Sequence, residues 1–396
     1  MTNPSTPAPF DDFALASRAT PLEPLLRAEI EAAGGRISFA RFMELALGHP
    51  EHGYYARADL RWGRDGDFET SPEVHPVFGY LWARQVLECW HRLGSPATFE
   101  LVEPGAGSGA FMTSMLTWLR ERDPECFAAA RPWVLDSHAR RIEEQRAALA
   151  RAGLRAEHAL LEDWLAMPGI LPSVVISNEL FDAMPVHLVG TRDGQLIEWC
   201  VTLVEGALRL ESGPPSAPAL ADRFASLGLA PGEGCLAEVS LAAPEVMTRI
   251  ASRVAKGYVL TIDYGYPAAE LYVPWRRNGT LLAFRHHSPQ PDPLSRPGLT
   301  DLTAHVDFTS LAAAAAVEGF ESAPLTTQAH ALVALGLGEA VEAARARMAE
   351  DFAGFAAARR AADTLIEPAG LGRIRVLALA KGVSLEGLRC LEGAQD

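Results

Sequence analysis

The sequence predicts an α/β protein, a Rossmann-like sheet with a mostly helical N-terminal lobe and β-rich or loop insertions. Three observations predict it. From residue 98 onward, short apolar runs of strand length alternate with helix-like runs, the pattern of a parallel sheet covered by helices on both faces. The first such run, 99–103, passes into Glu103-Pro104-Gly105-Ala106-Gly107-Ser108-Gly109, a turn that opens a helix. The next, 133–135, is followed at once by Asp136, an acid at a strand end.

The elements follow in order. Residues 1–20 are rich in Pro, Ser, Thr and Ala and read as a flexible arm. Residues 21–97 form the N-terminal lobe, with helical apolar spacing over 22–33, 39–47 and 78–93 and a Gly-containing loop over 49–69. This lobe is expected to cover the ligand crevice. Residues 98–385 carry the Rossmann-like domain, with helices over 110–120 and 138–152 and strands over 173–177, 257–263 and 374–380. Two insertions interrupt it, at about 186–235 and 265–307. In the first, three apolar stretches separated by Asp193-Gly194 and Glu205-Gly206 read as a β-meander. The second reads as a long loop rich in Gly, Pro and Arg, of a length that is usually functional. Helices are expected around 308–317 and 337–362, and residues 386–396 are a tail.

Composition narrows the function classes. The 396 residues carry a formal charge of −15, which disfavours general nucleic-acid binding and suits a basic protein partner. No apolar run reaches the roughly 20 residues that span a bilayer, so no membrane segment is expected, and no secretory signal is visible. Cys89, Cys126, Cys200, Cys235 and Cys390 are odd in number and contain no C-x-x-C pair. Neither a disulfide framework nor a metal site is expected, and a reducing, cytoplasmic setting is. His286-His287 and His305 lack metal-ligand spacing.

The chemistry-bearing residues cluster at strand ends. Gly105, Gly107 and Gly109 let the backbone turn sharply and a ligand approach. Dinucleotide sites place a pyrophosphate on such a turn. An acid ending the strand, Glu103, suits instead the cationic amino end of S-adenosylmethionine. Asp136 can accept hydrogen bonds from ribose hydroxyls, or merely cap the following helix. Asn178, Glu179 and Asp182 follow the strand at 173–177, where open parallel sheets place their ligand crevice. Methyl transfer needs a nucleophile held in line with the methyl carbon. If that nucleophile is a guanidinium, Glu179 and Asp182 can orient it by charge-assisted bonds. Thr70 to Glu73 fit a capping box with Pro72 in the first turn. Asp67, outside the box, is freer to serve a site.

Together these segments resemble the MidA-like methyltransferase family, which includes the mitochondrial complex I assembly factor that methylates a protein arginine. The resemblance runs over roughly residues 20–385. It is carried by Gly66-Asp67-Phe68, Thr70-Ser71-Pro72-Glu73, Phe78-Gly79, Glu103 with the three glycines, and the segment Ser177-Asn178-Glu179-Leu180-Phe181-Asp182-Ala183. Pro185-Val186-His187, Ile262-Asp263-Tyr264-Gly265, Gly279-Thr280-Leu281 and the stretch 301–308 continue it. It implies S-adenosylmethionine as cofactor and a protein substrate, such as a respiratory-complex subunit. It also implies that the loop holding Asp67 and Thr70 borders the cofactor or acceptor. A small-molecule methyltransferase and a cofactor-binding assembly factor without catalysis are the competing readings. A nicotinamide oxidoreductase is a further one, but no nicotinamide-site His or Tyr-Lys pair stands out.

Overall fold

The computed structural model describes residues 19–63, 66, 70–285 and 288–393. They divide into two compact units, each built from separate stretches of chain.

The larger unit takes residues 61–182, 244–265 and 308 onward. Its centre is an eight-stranded sheet. Strands β1 (Phe99–Pro104), β2 (Ala130–Asp136), β3 (Glu157–Leu160), β4 (Ser173–Asn178), β5 (Gly257–Asp263) and β6 (Arg375–Lys381) lie in the order β3-β2-β1-β4-β5-β6. Pairing is parallel from β3 through β5, and β6 runs antiparallel to β5. Two short strands, Glu321–Ser322 and Thr326–Thr327, pair with β6. Every residue of β1, β4 and β5 is buried. Parallel strands covered on both faces read as continuous apolar runs for this reason. The strand order reverses direction between β1 and β4. The crevice at that switch, outside the carboxyl ends of the strands, is the expected place for a ligand.

Helix α1 (Val77–Arg92) packs on α2 (Ala110–Arg122), with the Phe78 and Phe111 rings 5.0 Å apart. Helix α3 (Ala139–Arg151) follows β2 and packs on it. Beneath the sheet's other end, Arg253 donates from Nη2 to Glu100 Oε1 at 3.0 Å, with both residues buried. The Arg253 guanidinium also lies 4.7 Å over the Trp164 ring.

The smaller unit takes residues 19–60, 183–243 and 266–307. Its five-stranded sheet places Arg36–Ser38, Gln195–Val204, His187–Arg192 and Leu236–Val239 side by side, and Ala207–Gly213 also pairs with Gln195–Val204. The expected meander is present. Asp193 and Gly194 both have positive φ, as do Glu205 and Gly206, the conformation of tight hairpin turns. The Ser38 hydroxyl caps Phe39–Gly48 by accepting from Arg41 N at 3.1 Å. Two sequence expectations change here. The proposed lobe over 21–97 is not one body. Residues up to 60 join the inserted strands, because Ile37 pairs with Val201 across an antiparallel ladder, whereas residues from 61 belong to the larger unit. Within 265–307, read as loop, Leu282–Arg285 pairs with Ser288–Pro289 and Asp301–Thr303 in a small sheet. His286 and His287 lie outside the described residues.

The Glu100–Arg253 pair generates a prediction. Glu100→Ala strands a buried guanidinium and should cost about 3–5 kcal/mol, read from urea unfolding. An unchanged midpoint would show that the pair contributes nothing.

Candidate functional site

The glycine turn, the acid at the end of β2 and the loop after β4 all lie in the larger unit. Gly105, Gly107 and Gly109 all have positive φ, so the turn uses a conformation that other residues rarely adopt. Gly105 N and Ala106 N donate to Leu135 O at 2.9 and 3.1 Å, which hangs the turn from the end of β2. At Gly105 a Cβ would come within 2.7 Å of Leu180 Cδ1. The glycine turn and the loop after β4 therefore touch.

Glu103 is buried, and its Oε2 accepts from Met112 N at 3.0 Å, in the first turn of α2. Burial pushes its pKa up to about 8 against the help of that bond, and the charges of Asp136 and Glu73 add to the rise. Asp136 is buried too. Its Oδ1 accepts from Ser137 N at 2.8 Å and His138 N at 3.2 Å, and its Oδ2 from Gln145 Nε2 at 2.8 Å. These bonds hold the turn that leads into α3, so the carboxylate serves that turn and Gln145, and not the α3 N-terminus as a cap. Burial raises its pKa to about 6, opposed first by the Gln145 bond.

Gln145 joins the two halves of this arrangement. It is fully buried on α3, and the same Nε2 also donates to Gly107 O at 3.0 Å. Both hydrogens of the amide are thus committed to acceptors, which fixes the orientation of the group. Its Oε1 is buried without a hydrogen-bond partner among the described residues. The sequence analysis passed over Gln145, although a Gln on the buried stripe with Ile142 and Leu149 was a visible signal.

The loop after β4 is held by one carboxylate. Leu180 N, Phe181 N and Asp182 N donate to Asp263 Oδ2 at 3.1, 2.8 and 3.4 Å, and Tyr264 N donates to Asp263 Oδ1 at 2.8 Å. Converging N–H groups of this kind form an anion-holding nest. Glu179, just before it, has φ +50°, a strained conformation for a non-glycine residue and common at functional sites. Asn178 Nδ2 donates to Glu179 Oε1 at 3.0 Å, while Asn178 Oδ1 is buried without a partner among the described residues. Asp263 is fully buried, and its pKa rises through desolvation and the neighbouring charges of Asp182 and Glu179. Tyr264 rises for the same reasons and stays protonated. Asp263 was visible only as part of the Ile262-Asp263-Tyr264-Gly265 motif.

Two sequence expectations about the N-terminal border are revised or set aside. The capping box does not form. The Thr70 side chain makes no cap on Ser71–Val74, although Pro72 does lie in its first turn. Glu73 instead accepts a hydrogen bond from Ser108 Oγ in the glycine turn, so the contact to the turn comes from Glu73 rather than Thr70. Asp67 lies outside the described residues. Among the described residues no cluster of His, Cys, Asp and Glu could hold a metal ion.

Strand-end acids flank a glycine turn at the switch point of a parallel sheet, the place where open α/β sheets bind their ligands. Residues 81–326 match a family model named for S-adenosyl-L-methionine-dependent methyl transfer, and the chain belongs to this family. It is 32% identical over 312 residues to the mitochondrial protein arginine methyltransferase NDUFAF7 homolog of Drosophila melanogaster, covering 72% of this chain and 67% of that protein. It is 26% identical to human NDUFAF7 over 324 residues, or 74% and 68% of the two chains. A Burkholderia thailandensis protein crystallised with S-adenosyl-homocysteine aligns at 31% identity with a TM-score of 0.84, over 94% of this chain and 95% of its own. The protein is an S-adenosylmethionine-dependent methyltransferase with the expected Rossmann-like fold. The cytoplasmic expectation is overturned by the NDUFAF7 relatives, which are mitochondrial. Unpaired thiols, all five of them buried here, report redox conditions and not a compartment.

Glu103 yields a pH prediction. Its folded pKa, about 8, lies above the usual carboxylate value of 4.5. The protonated form is therefore favoured by folding, and this contribution is lost as pH rises from about 4.5 to about 8. Without cofactor, Glu103→Gln should gain thermal stability relative to wild type over that window and run parallel above it. Melting curves with a constant offset from pH 5 to 9, roughly the span tested, would place Glu103 outside a desolvated site.

Proposed function

We propose that this methyltransferase modifies an arginine on a partner protein, and that Asn178, Glu179 and Asp182 hold the acceptor. The observation that supports it most is the negative potential around the loop after β4. Glu179 and Asp182 both push up the pKa of Asp263 and of Tyr264. A site with that field selects a cation. A guanidinium stays charged, with a pKa of roughly 12.5–13.8, and its planar fork suits two carboxylates. The named relatives are protein arginine methyltransferases, and the net charge of −15 favours approach of a basic segment.

In the same reading Glu103, Gly105, Gly107, Gly109 and Asp136 hold the cofactor. Bound S-adenosylmethionine supplies the methyl group. Glu179 and Asp182 orient the guanidinium, and their charge concentrates the lone pair on one nitrogen. One of the two carboxylates takes the proton which that nitrogen gives up as the N–C bond forms and the S–C bond breaks. The buried Asn178 carbonyl can accept an N–H of the acceptor, which gives its oxygen a partner. Asp263 positions Asp182 by holding the backbone of residues 180–182, and Glu179 N donates to Ile262 O. A respiratory-complex subunit is the partner class that the resemblance implies and the first to test.

The test uses methyl-labelled cofactor with lysate protein and mass spectrometry. Methylarginine on a protein is the expected product, whereas label found only in a small metabolite would sink the acceptor assignment. Glu179→Gln should keep cofactor affinity within about threefold and lose about ten- to a hundredfold in turnover. Full activity in both Glu179→Gln and Asp182→Asn would remove these residues from the chemistry.

A further inference from the structure

Trp62 lies on the glycine turn although no part of the site described so far uses it. A Cβ on Gly107 would meet Trp62 Cη2 and Cζ3 at 3.3 Å and Cζ2 at 3.6 Å, so the far edge of the indole rests against the middle glycine. The position is braced from below. A Cβ on Gly63 would lie 3.3 Å from Glu73 Cβ, and the Glu73 carboxylate is bonded to Ser108 Oγ in the same turn. Trp62 is half-buried.

The chemistry of the cofactor indicates what meets that ring. Sulfur links the methionine chain to the ribose. Glu103 is placed for the amino end of the methionine chain and Asp136 for the ribose, so the sulfur lies between the two. Gly107 lies in the turn that follows Glu103, and its carbonyl is tied through Gln145 Nε2 to Asp136. We propose that Trp62 is a cofactor-binding residue whose ring faces the sulfonium and favours the charged cofactor over its neutral demethylated product by a cation–π contact. This inference rests on the cofactor assignment to Glu103, the glycines and Asp136. Such contacts contribute modestly when partly exposed and more when desolvated. A ring that prefers the sulfonium also weakens the hold on the thioether left after transfer, which favours exchange of product for fresh cofactor.

The experiment is calorimetric titration of the full chain with S-adenosylmethionine and with S-adenosylhomocysteine, in wild type, Trp62→Phe and Trp62→Leu. The ratio of the Kd for the sulfonium to the Kd for the thioether should rise about two- to thirtyfold in Trp62→Leu and much less in Trp62→Phe, which keeps an aromatic face. An unchanged ratio in Trp62→Leu overturns the proposal, whether both affinities hold or fall together. Tighter binding of both ligands overturns it as well, because the indole would then be occupying the ligand's space. If circular dichroism shows that Trp62→Leu does not fold, Trp62→Met takes its place with the same two readings. Glu103→Gln and Asp136→Asn, titrated in parallel, test the underlying assignment separately. Unchanged affinities in those two variants remove the cofactor from this turn whatever the Trp62 ratio shows.

Discussion

The carboxylate of Asp263 is the constraint on which the loop after β4 depends. It ends β5, yet the backbone that it holds belongs to the loop after β4. Parallel strands deliver their carboxyl ends to one edge but leave the following loops without ladder partners. A buried backbone N–H needs an acceptor. Asp263 supplies one oxygen to the N–H groups of residues 180, 181 and 182, and so converts a loose connection into a fixed ledge. The strain at Glu179, with φ +50°, is sustained by that ledge. Leu180, held on it, is what abuts Gly105 and brings the acceptor loop to the glycine turn.

The glycine turn is built on a parallel plan with a neutral residue in the central role. Gln145 ties the acid of one strand end to the carbonyl of the neighbouring turn. A carboxamide suits this place because its NH2 reaches two acceptors without adding a charge to a buried region. Substituting an acid there would set a third carboxylate beside Asp136 and Glu103, whose ionised forms are already disfavoured by burial. Glu73 performs a related task from outside the sheet, bonding Ser108 and backing the segment that carries Trp62.

The central sheet was legible because its strands are buried on both faces and lie next to strong turn signals. The runs at β1, β4 and β5 contain few polar interruptions, and Glu103, Asn178, Glu179 and Asp182 stand at or just beyond the ends of β1 and β4. The β-meander was legible through Asp193-Gly194 and Glu205-Gly206, both with the backbone conformation those pairs favour. Other features left no local trace. Arg36–Ser38 is three residues long, and only its pairing across 160 or so intervening residues makes it a strand. That pairing assigns the N-terminal helices to the smaller unit. The Glu73 carboxylate followed a helix-start pattern, yet its partner is a tertiary one, Ser108, because proximity to the glycine turn outcompeted the local cap. Gln145 was detectable only as a polar residue on an apolar stripe, a weak signal without knowledge of what the stripe faces.

The strand-end acids also explain why the site suits its chemistry. Glu103, Asp136 and Asp263 are each buried, and for each the leading effect is desolvation, which favours the neutral form. Each also accepts backbone or amide N–H bonds, which favour the charged form and fix its direction. A cation placed beside a buried carboxylate interacts with it more strongly than it would beside a solvated one. Methyl transfer from a sulfonium brings a positively charged sulfur and an ammonium to one half of the crevice. In the proposed reading a guanidinium brings a further positive charge to the loop after β4. Two cations repel in a confined space unless negative charge is interposed, and in that reading Glu179 and Asp182 supply it. The departing product has lost the sulfonium charge, so its hold on the acid-lined edge weakens at the step where release is needed.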